Sequence, residues 1–120
     1  ALSAGVADVM TKIQANDVAG AQAVLARLRE SFGASPEIDM AAGTLALHVG
    51  RLDEAASLLE RARSSPTLAT AAWYNLGVVR MRQGQTAAAI RAFEEVLKLD
   101  PNNQPARAGI DQLSAGGRTP

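Results

Sequence analysis

The chain has no cysteine, one histidine and few aromatic residues, namely one Trp, one Tyr and two Phe. The first absence excludes disulfide bonds and thiolate metal sites. A single compact globule of 120 residues needs large side chains to fill its core, and this sequence offers few of them. Its apolar residues are largely alanine, which lets helix backbones approach closely and is a poor strand former. The composition therefore predicts an all-α fold.

The sequence also lacks charge of one prevailing sign, with 12 basic and 12 acidic residues and no block of like charge. A nucleic-acid partner is therefore not predicted, because such binders present a basic face. No apolar run approaches the ~18 residues of a membrane span, so no membrane insertion is predicted either.

Indications of the chain's origin are few. No signal peptide is visible, and because the chain begins at Ala1 rather than Met, we expect a processed chain or a piece of a longer protein. Alanine is abundant and Lys12 and Lys98 are the only lysines, which is typical of a GC-rich bacterial genome. The compartment stays open between cytoplasm and periplasm.

A period of 34 residues organises what is present. Gly77 corresponds to Gly43 one period earlier, and Gly84 corresponds to Gly50 and then to Asn16, a residue that also tolerates left-handed backbone. The apolar matches across the three passes are Ala89–Ala55–Ala21, Phe93–Leu59–Leu25 and Val96–Ala62–Leu28. Each unit reads as a helical hairpin, and such units must stack to bury their apolar faces.

The hairpin helices are predicted at 3–15 and 18–31, 37–49 and 52–64, and 70–83 and 86–98, with turns at Asn16, Gly50 and Gly84. Ser35 followed by Pro36 is a typical helix start. We expect one domain over 1–115, made of repeats at about 2–35, 36–69 and 70–103 and a capping helix at 104–115. In that helix Ile110 and Leu113 would cover the last hairpin, and residues 116–120 are predicted to be a disordered tail.

The third unit resembles a tetratricopeptide repeat. The residues that carry the resemblance are Trp73, Leu76, Gly77, Gly84, Ala89, Phe93, Val96 and Pro101. The second unit departs from the pattern at Asp39, which replaces the Trp, and at Pro66, which comes one residue early; the first unit diverges most. The resemblance implies a right-handed superhelical α-solenoid of three antiparallel hairpins, whose first helices line a concave surface, and a role as a scaffold for protein contacts.

Residues capable of catalysis are few and scattered. His48 aligns with Gln14 and Arg82 by the period, which indicates a polar residue near the edge of the concave surface. The neighbouring carboxylates of Asp53–Glu54 and Glu94–Glu95 point in different directions on a helix and form no acid–base pair. Ser57, Ser64 and Ser65 lack a nearby base, and the glycines are spaced as hairpin turns rather than as a phosphate loop. We predict no catalytic, cofactor or metal site.

One face of the first helix in each hairpin carries a stripe of mostly apolar residues. Over the three hairpins the stripe has nine positions, of which eight are apolar. It predicts an apolar groove, because contiguous exposed apolar surface usually marks an interaction site; ordinary core, or cover by the chain's own terminus, is the alternative. The predicted groove residues are Val6, Met10, Ile13, Met40, Thr44, Leu47, Tyr74, Asn75, Val78, Met81 and Arg82. Of these, Asn75 and Arg82 are polar residues that flank the stripe. Asn75 and Arg82 alone do not reproduce the clamp by which one subtype of the family holds a C-terminal carboxylate.

The sequence thus predicts a non-catalytic interaction module that binds a peptide or helix of a partner protein in an apolar concave groove. Two alternatives stay open. The chain would be a docking or regulatory domain of a larger bacterial enzyme or of a secretion or assembly protein, or it would be a scaffold that associates with itself as a homo-oligomer.

Overall fold

The computed structural model describes residues 2–116, which form seven α-helices and no strand. The helices are α1 (Leu2–Gln14), α2 (Val18–Phe32), α3 (Pro36–His48), α4 (Leu52–Ala62), α5 (Ala69–Arg82), α6 (Thr86–Leu99) and α7 (Gln104–Gly116). Every predicted helix is present, and no end differs from its predicted position by more than two residues. Gly116 belongs to α7 rather than to the predicted tail, and the rest of that tail, residues 117–120, lies outside the described part.

Side chains at three helix starts satisfy backbone N–H groups that have no partner within the helix. The Ser35 hydroxyl accepts a hydrogen bond from the Ile38 N–H at 3.2 Å, and Pro36 opens α3. Asp17 caps α2 in the same way, and Asn103 accepts from the Ala106 N–H at 3.0 Å at the start of α7. Short polar residues between the apolar runs thus fix where these helices begin.

The three hairpin turns have the same geometry. Asn16, Gly50 and Gly84 all have positive φ, at 59°, 83° and 78°. In each turn, the residue that follows the positive-φ residue donates its N–H to the carbonyl five residues earlier. Arg51 donates to Ala46 at 2.8 Å, and the equivalent bonds in the other two turns measure 2.7 Å and 2.9 Å. A residue in left-handed conformation is what this helix ending requires. The turns confirm the period read from the sequence.

Within a hairpin the two helices approach at a glycine. A Cβ added at Gly77 would lie 2.5 Å from the Phe93 ring, and one at Gly43 would lie 2.9 Å from Leu59. Phe93 is 2% exposed, and its opposite edge lies against Gly109 of α7. The first hairpin has Val9 at this position, and there the close approach occurs one turn earlier, where Gly5 faces Leu28.

The hairpins stack into an elongated body of 50 × 26 × 21 Å. One apolar core runs through the first two hairpins into α5. A second core surrounds Phe93, Val96 and Ala106, and Ile110 and Leu113 of α7 pack against it. Trp73 and Val78 contact both cores and so join them. The fold is the all-α helical-repeat solenoid that the period predicted.

Candidate partner-binding groove

The first helices of the hairpins form the inner surface of the solenoid. Helix α1 contacts α3 and α3 contacts α5, whereas no comparable contact joins the second helices α2, α4 and α6 to one another. Helices on the inside of a curved stack lie closer together than those on the outside, so α1, α3 and α5 line the concave side. The stripe predicted from the sequence lies on these three helices.

Val6, Met40 and Tyr74 occupy one row across this surface, one residue from each repeat, and all three are partly exposed. Two shallow cavities flank the row. The first, of about 350 Å³ between α1 and α3, is lined by Leu2, Ser3, Val6, Glu37, Met40 and Leu68. The second, of about 440 Å³ at the start of α5 and α7, is lined by Thr67, Thr70, Ala71, Tyr74, Asn75, Asn103 and Pro105. We call the row and its two cavities the inner groove.

The middle row of the predicted stripe is also accessible, but it carries less apolar surface. Met10, Thr44 and Val78 are partly exposed, and Met10 and Val78 pack on the core below. The Thr44 hydroxyl donates to the Met40 carbonyl at 2.8 Å, so its polar group is already satisfied inside the helix. This row extends the inner groove without adding a cavity of its own.

The last row of the stripe departs from the prediction. Ile13 and Leu47 are 6% and 9% exposed and belong to the core, so they do not line an open groove. Both lie in the apolar core that runs through the first two hairpins, and polar contacts join successive repeats at the same ends of these helices. His48 Nε2 lies 2.9 Å from the Asn16 side-chain oxygen, and Arg82 donates to the Leu47 carbonyl at 3.4 Å. The third member, Met81, stays exposed.

The two predicted polar contacts lie at different places. Asn75 lines the second cavity, and no hydrogen bond from its side chain occurs within residues 2–116. Arg82 is exposed and lines neither cavity, because it reaches back to the preceding repeat. The structure therefore brings Asn75 to the inner groove and leaves Arg82 outside it.

Comparison with known proteins assigns the family. A family model described as tetratricopeptide repeat matches residues 9–69 and, in an overlapping second match, residues 41–104. The chain belongs to the tetratricopeptide repeat family. Among solved structures, the crystal structure of MamA resembles the chain with a TM-score of 0.82 at 22% sequence identity, over 97% of this chain and 68% of that chain. At that identity the likeness shows the fold alone. No curated protein matches the chain.

Tetratricopeptide repeats generally mediate protein–protein contacts and are typically non-catalytic scaffolds. In residues 2–116 no cluster of His, Asp and Glu is arranged to hold a metal ion, and the single His is bonded to Asn16. Lys98 donates a hydrogen bond to Glu95 at 2.6 Å on the surface, and this hydrogen bond, followed by the charge of Glu95, raises the pKa of Lys98. None of the described helices is both long and apolar enough to cross a membrane.

The outer surface of this tetratricopeptide solenoid holds a cleft that sequence reasoning missed. It lies between α4, α5 and α6, has a volume of about 460 Å³, and is floored by Trp73. The Arg63 guanidinium stacks 4.4 Å from the centre of the indole ring, and Arg80 pairs with Glu60 at 3.3 Å. Charges of both signs meet in the cleft, and nothing in a single sequence relates Arg63 to Trp73.

Proposed function

We propose that this chain is a non-catalytic interaction module that binds a peptide or short helix of a partner protein in its inner groove. The observation that carries the proposal is the row of Val6, Met40 and Tyr74. The repeat period places one apolar side chain from each hairpin on the same concave surface, and all three keep part of their surface exposed.

The cavities beside this row explain how a partner would gain affinity. The first is bordered by two residues of the row, Val6 and Met40, together with Leu68, and the second by Tyr74 together with Pro105. An apolar side chain of the partner would remove this surface from water. Methionine at the centre adapts to ligands of different shape. This is the way in which amphipathic segments bind apolar grooves.

The test begins with peptides selected from a random display library on the purified chain. Binding of the selected peptides is then measured by fluorescence anisotropy against wild type and Met40→Glu. We expect Met40→Glu to weaken binding at least about tenfold, because a carboxylate would be buried against an apolar ligand without a partner. Its melting temperature should change little, since Met40 is partly exposed.

Leu99→Glu is the matched control, because Leu99 is an exposed leucine, 53% accessible, on the outer helix α6. The same change of an apolar residue to an acid should leave peptide binding unchanged there. Tyr74→Glu is a less clean variant, because the Tyr74 ring lies 5.5 Å from the Phe93 ring and contributes to the core. If the selected peptides bind Met40→Glu as well as wild type, or if none is selected, the proposal is contradicted.

A further inference from the structure

Glu37 is the one charged residue among those that line the two cavities of the inner groove. It lies in the first turn of α3, beside Met40 and opposite Leu2 and Val6 of α1. Within residues 2–116 it forms no ion pair or side-chain hydrogen bond, although Asp39, two residues on, pairs with Arg61 at 3.5 Å. A carboxylate without a partner thus borders an otherwise uncharged groove.

The equivalent positions in the other repeats show that the tetratricopeptide architecture does not require this charge. One period earlier the residue is Ser3 and one period later it is Ala71, and both of these also line the groove cavities. A negative charge in the first turn does stabilise a helix, but Asp39 already supplies one to α3. Because Glu37 lies in the cavity wall, its charge also bears on what can enter the cavity.

An apolar side chain that enters the first cavity must remove water from the Glu37 carboxylate. A charge that loses water without gaining a partner costs far more than a few apolar contacts return. We propose that the occupant is a partner segment with a Lys or Arg next to the apolar residue that enters this cavity, and that Glu37 pairs with that cation. The inference rests on the proposed function and deepens it by naming the charge of the ligand.

The carboxylate would then act mainly on specificity. A cation beside the apolar anchor gains a charge-assisted hydrogen bond, whereas a neutral residue leaves Glu37 desolvated and an acidic residue adds repulsion. Selection against the wrong ligand is an established use of such a charge. A carboxylate whose only role is to stabilise α3 would lower the melting temperature when it is removed, but it would not change which peptides bind.

The experiment uses random peptide display on four forms of the chain, namely wild type, Glu37→Gln, Glu37→Lys and Glu30→Gln. Glu30 is an exposed carboxylate on the outer helix α2, and it controls for overall charge. Wild type and Glu30→Gln should both select peptides with Lys or Arg adjacent to an apolar residue. Glu37→Gln should lose that preference, and Glu37→Lys should select Asp or Glu there instead.

Affinity measurements sharpen the result. Replacing the selected basic residue by Gln should weaken binding to wild type about tenfold, the effect of losing one hydrogen bond between charged groups. The same peptide change should have much less effect on Glu37→Gln. Placing the carboxylate one period along, in Glu37→Gln/Ala71→Glu, should restore a preference for basic residues, because Ala71 lines the second cavity.

The outcomes separate this inference from the proposed function. The role of Glu37 is overturned, and the groove proposal stands, if the selected peptides lose binding to Met40→Glu but show no preference for basic residues. The same holds if Glu37→Gln selects peptides with the same basic preference as wild type. Selected peptides that bind Met40→Glu normally overturn both. Analytical ultracentrifugation of the chain alone tests whether a second copy is the occupant. If the chain forms a dimer that Met40→Glu dissociates, a second copy and not a basic partner segment occupies the groove, and the inference is overturned.

Discussion

The inner helices are open at their N-terminal ends and closed at their C-terminal ends. Near the N-terminal ends, Val6 and Met40 keep exposed surface beside a cavity. Two turns further along the same helices, Ile13 and Leu47 are buried. All four are apolar residues at the same periodic stripe of an amphipathic helix. The difference shows that membership of one apolar stripe does not decide whether a residue of an inner helix is exposed or buried.

One position of the repeat makes a polar contact between successive repeats at these C-terminal ends. His48 reaches back to Asn16, and one period later Arg82 reaches back to the Leu47 carbonyl. The next position in this series is Gly116, which has no side chain, and α7 makes no extensive contact with α5. Met81, the residue that would be covered, is exposed. The last row is therefore buried only where a following inner helix supplies cover.

The largest expected difference between the two rows concerns stability. Leu47→Ala should lower the free energy of unfolding by about 2–5 kcal/mol, because it leaves a cavity in the core. Met40→Ala should cost about 1 kcal/mol or less, since Met40 is partly exposed and its loss creates no enclosed void. Urea denaturation followed by circular dichroism measures both values. Equal losses would mean that the Met40 row is core as well.

The fold was predictable because its determinants repeat. Three turns that need left-handed backbone recur every 34 residues at Asn16, Gly50 and Gly84. Gly43 and Gly77 mark the close approaches in the same way. The first hairpin was less clear, because its contact glycine, Gly5, lies one turn away from the periodic position.

The inner groove was predictable only in part. Periodicity assigns Ile13, Leu47 and Met81 to the same stripe as Val6, but it carries no information on how closely successive hairpins approach. Ile13 and Leu47 share one core with residues of other hairpins, and the polar contacts at the same helix ends span more than 30 residues of sequence. The role proposed for Glu37 was not predicted, because Glu37 lies outside the apolar stripe and differs from its equivalents Ser3 and Ala71.

A smaller effect is expected at the first hairpin turn, which belongs to the closed end. Asn16 is the one residue other than glycine with positive φ in the described chain. Asn16→Ala should cost about 1–2 kcal/mol, because alanine adopts left-handed backbone poorly. Asn16→Gly keeps the conformation and should cost less. Thermal melting of both variants ranks them, and an equal loss would show that the backbone conformation is not the cause.

The smallest effect should follow from His48→Ala, which removes the 2.9 Å contact to Asn16 and leaves the turn conformation in place. His48 and Asn16 are both exposed, so water replaces the lost partner and the cost should be about 0.5 kcal/mol, the lower limit for a hydrogen bond. The double variant His48→Ala/Asn16→Gly should then cost less than the sum of its single changes, because both remove the same bond. Strict additivity in urea denaturation would mean that the bond does not stabilise the closed end, and that burial of Ile13 depends on apolar packing alone.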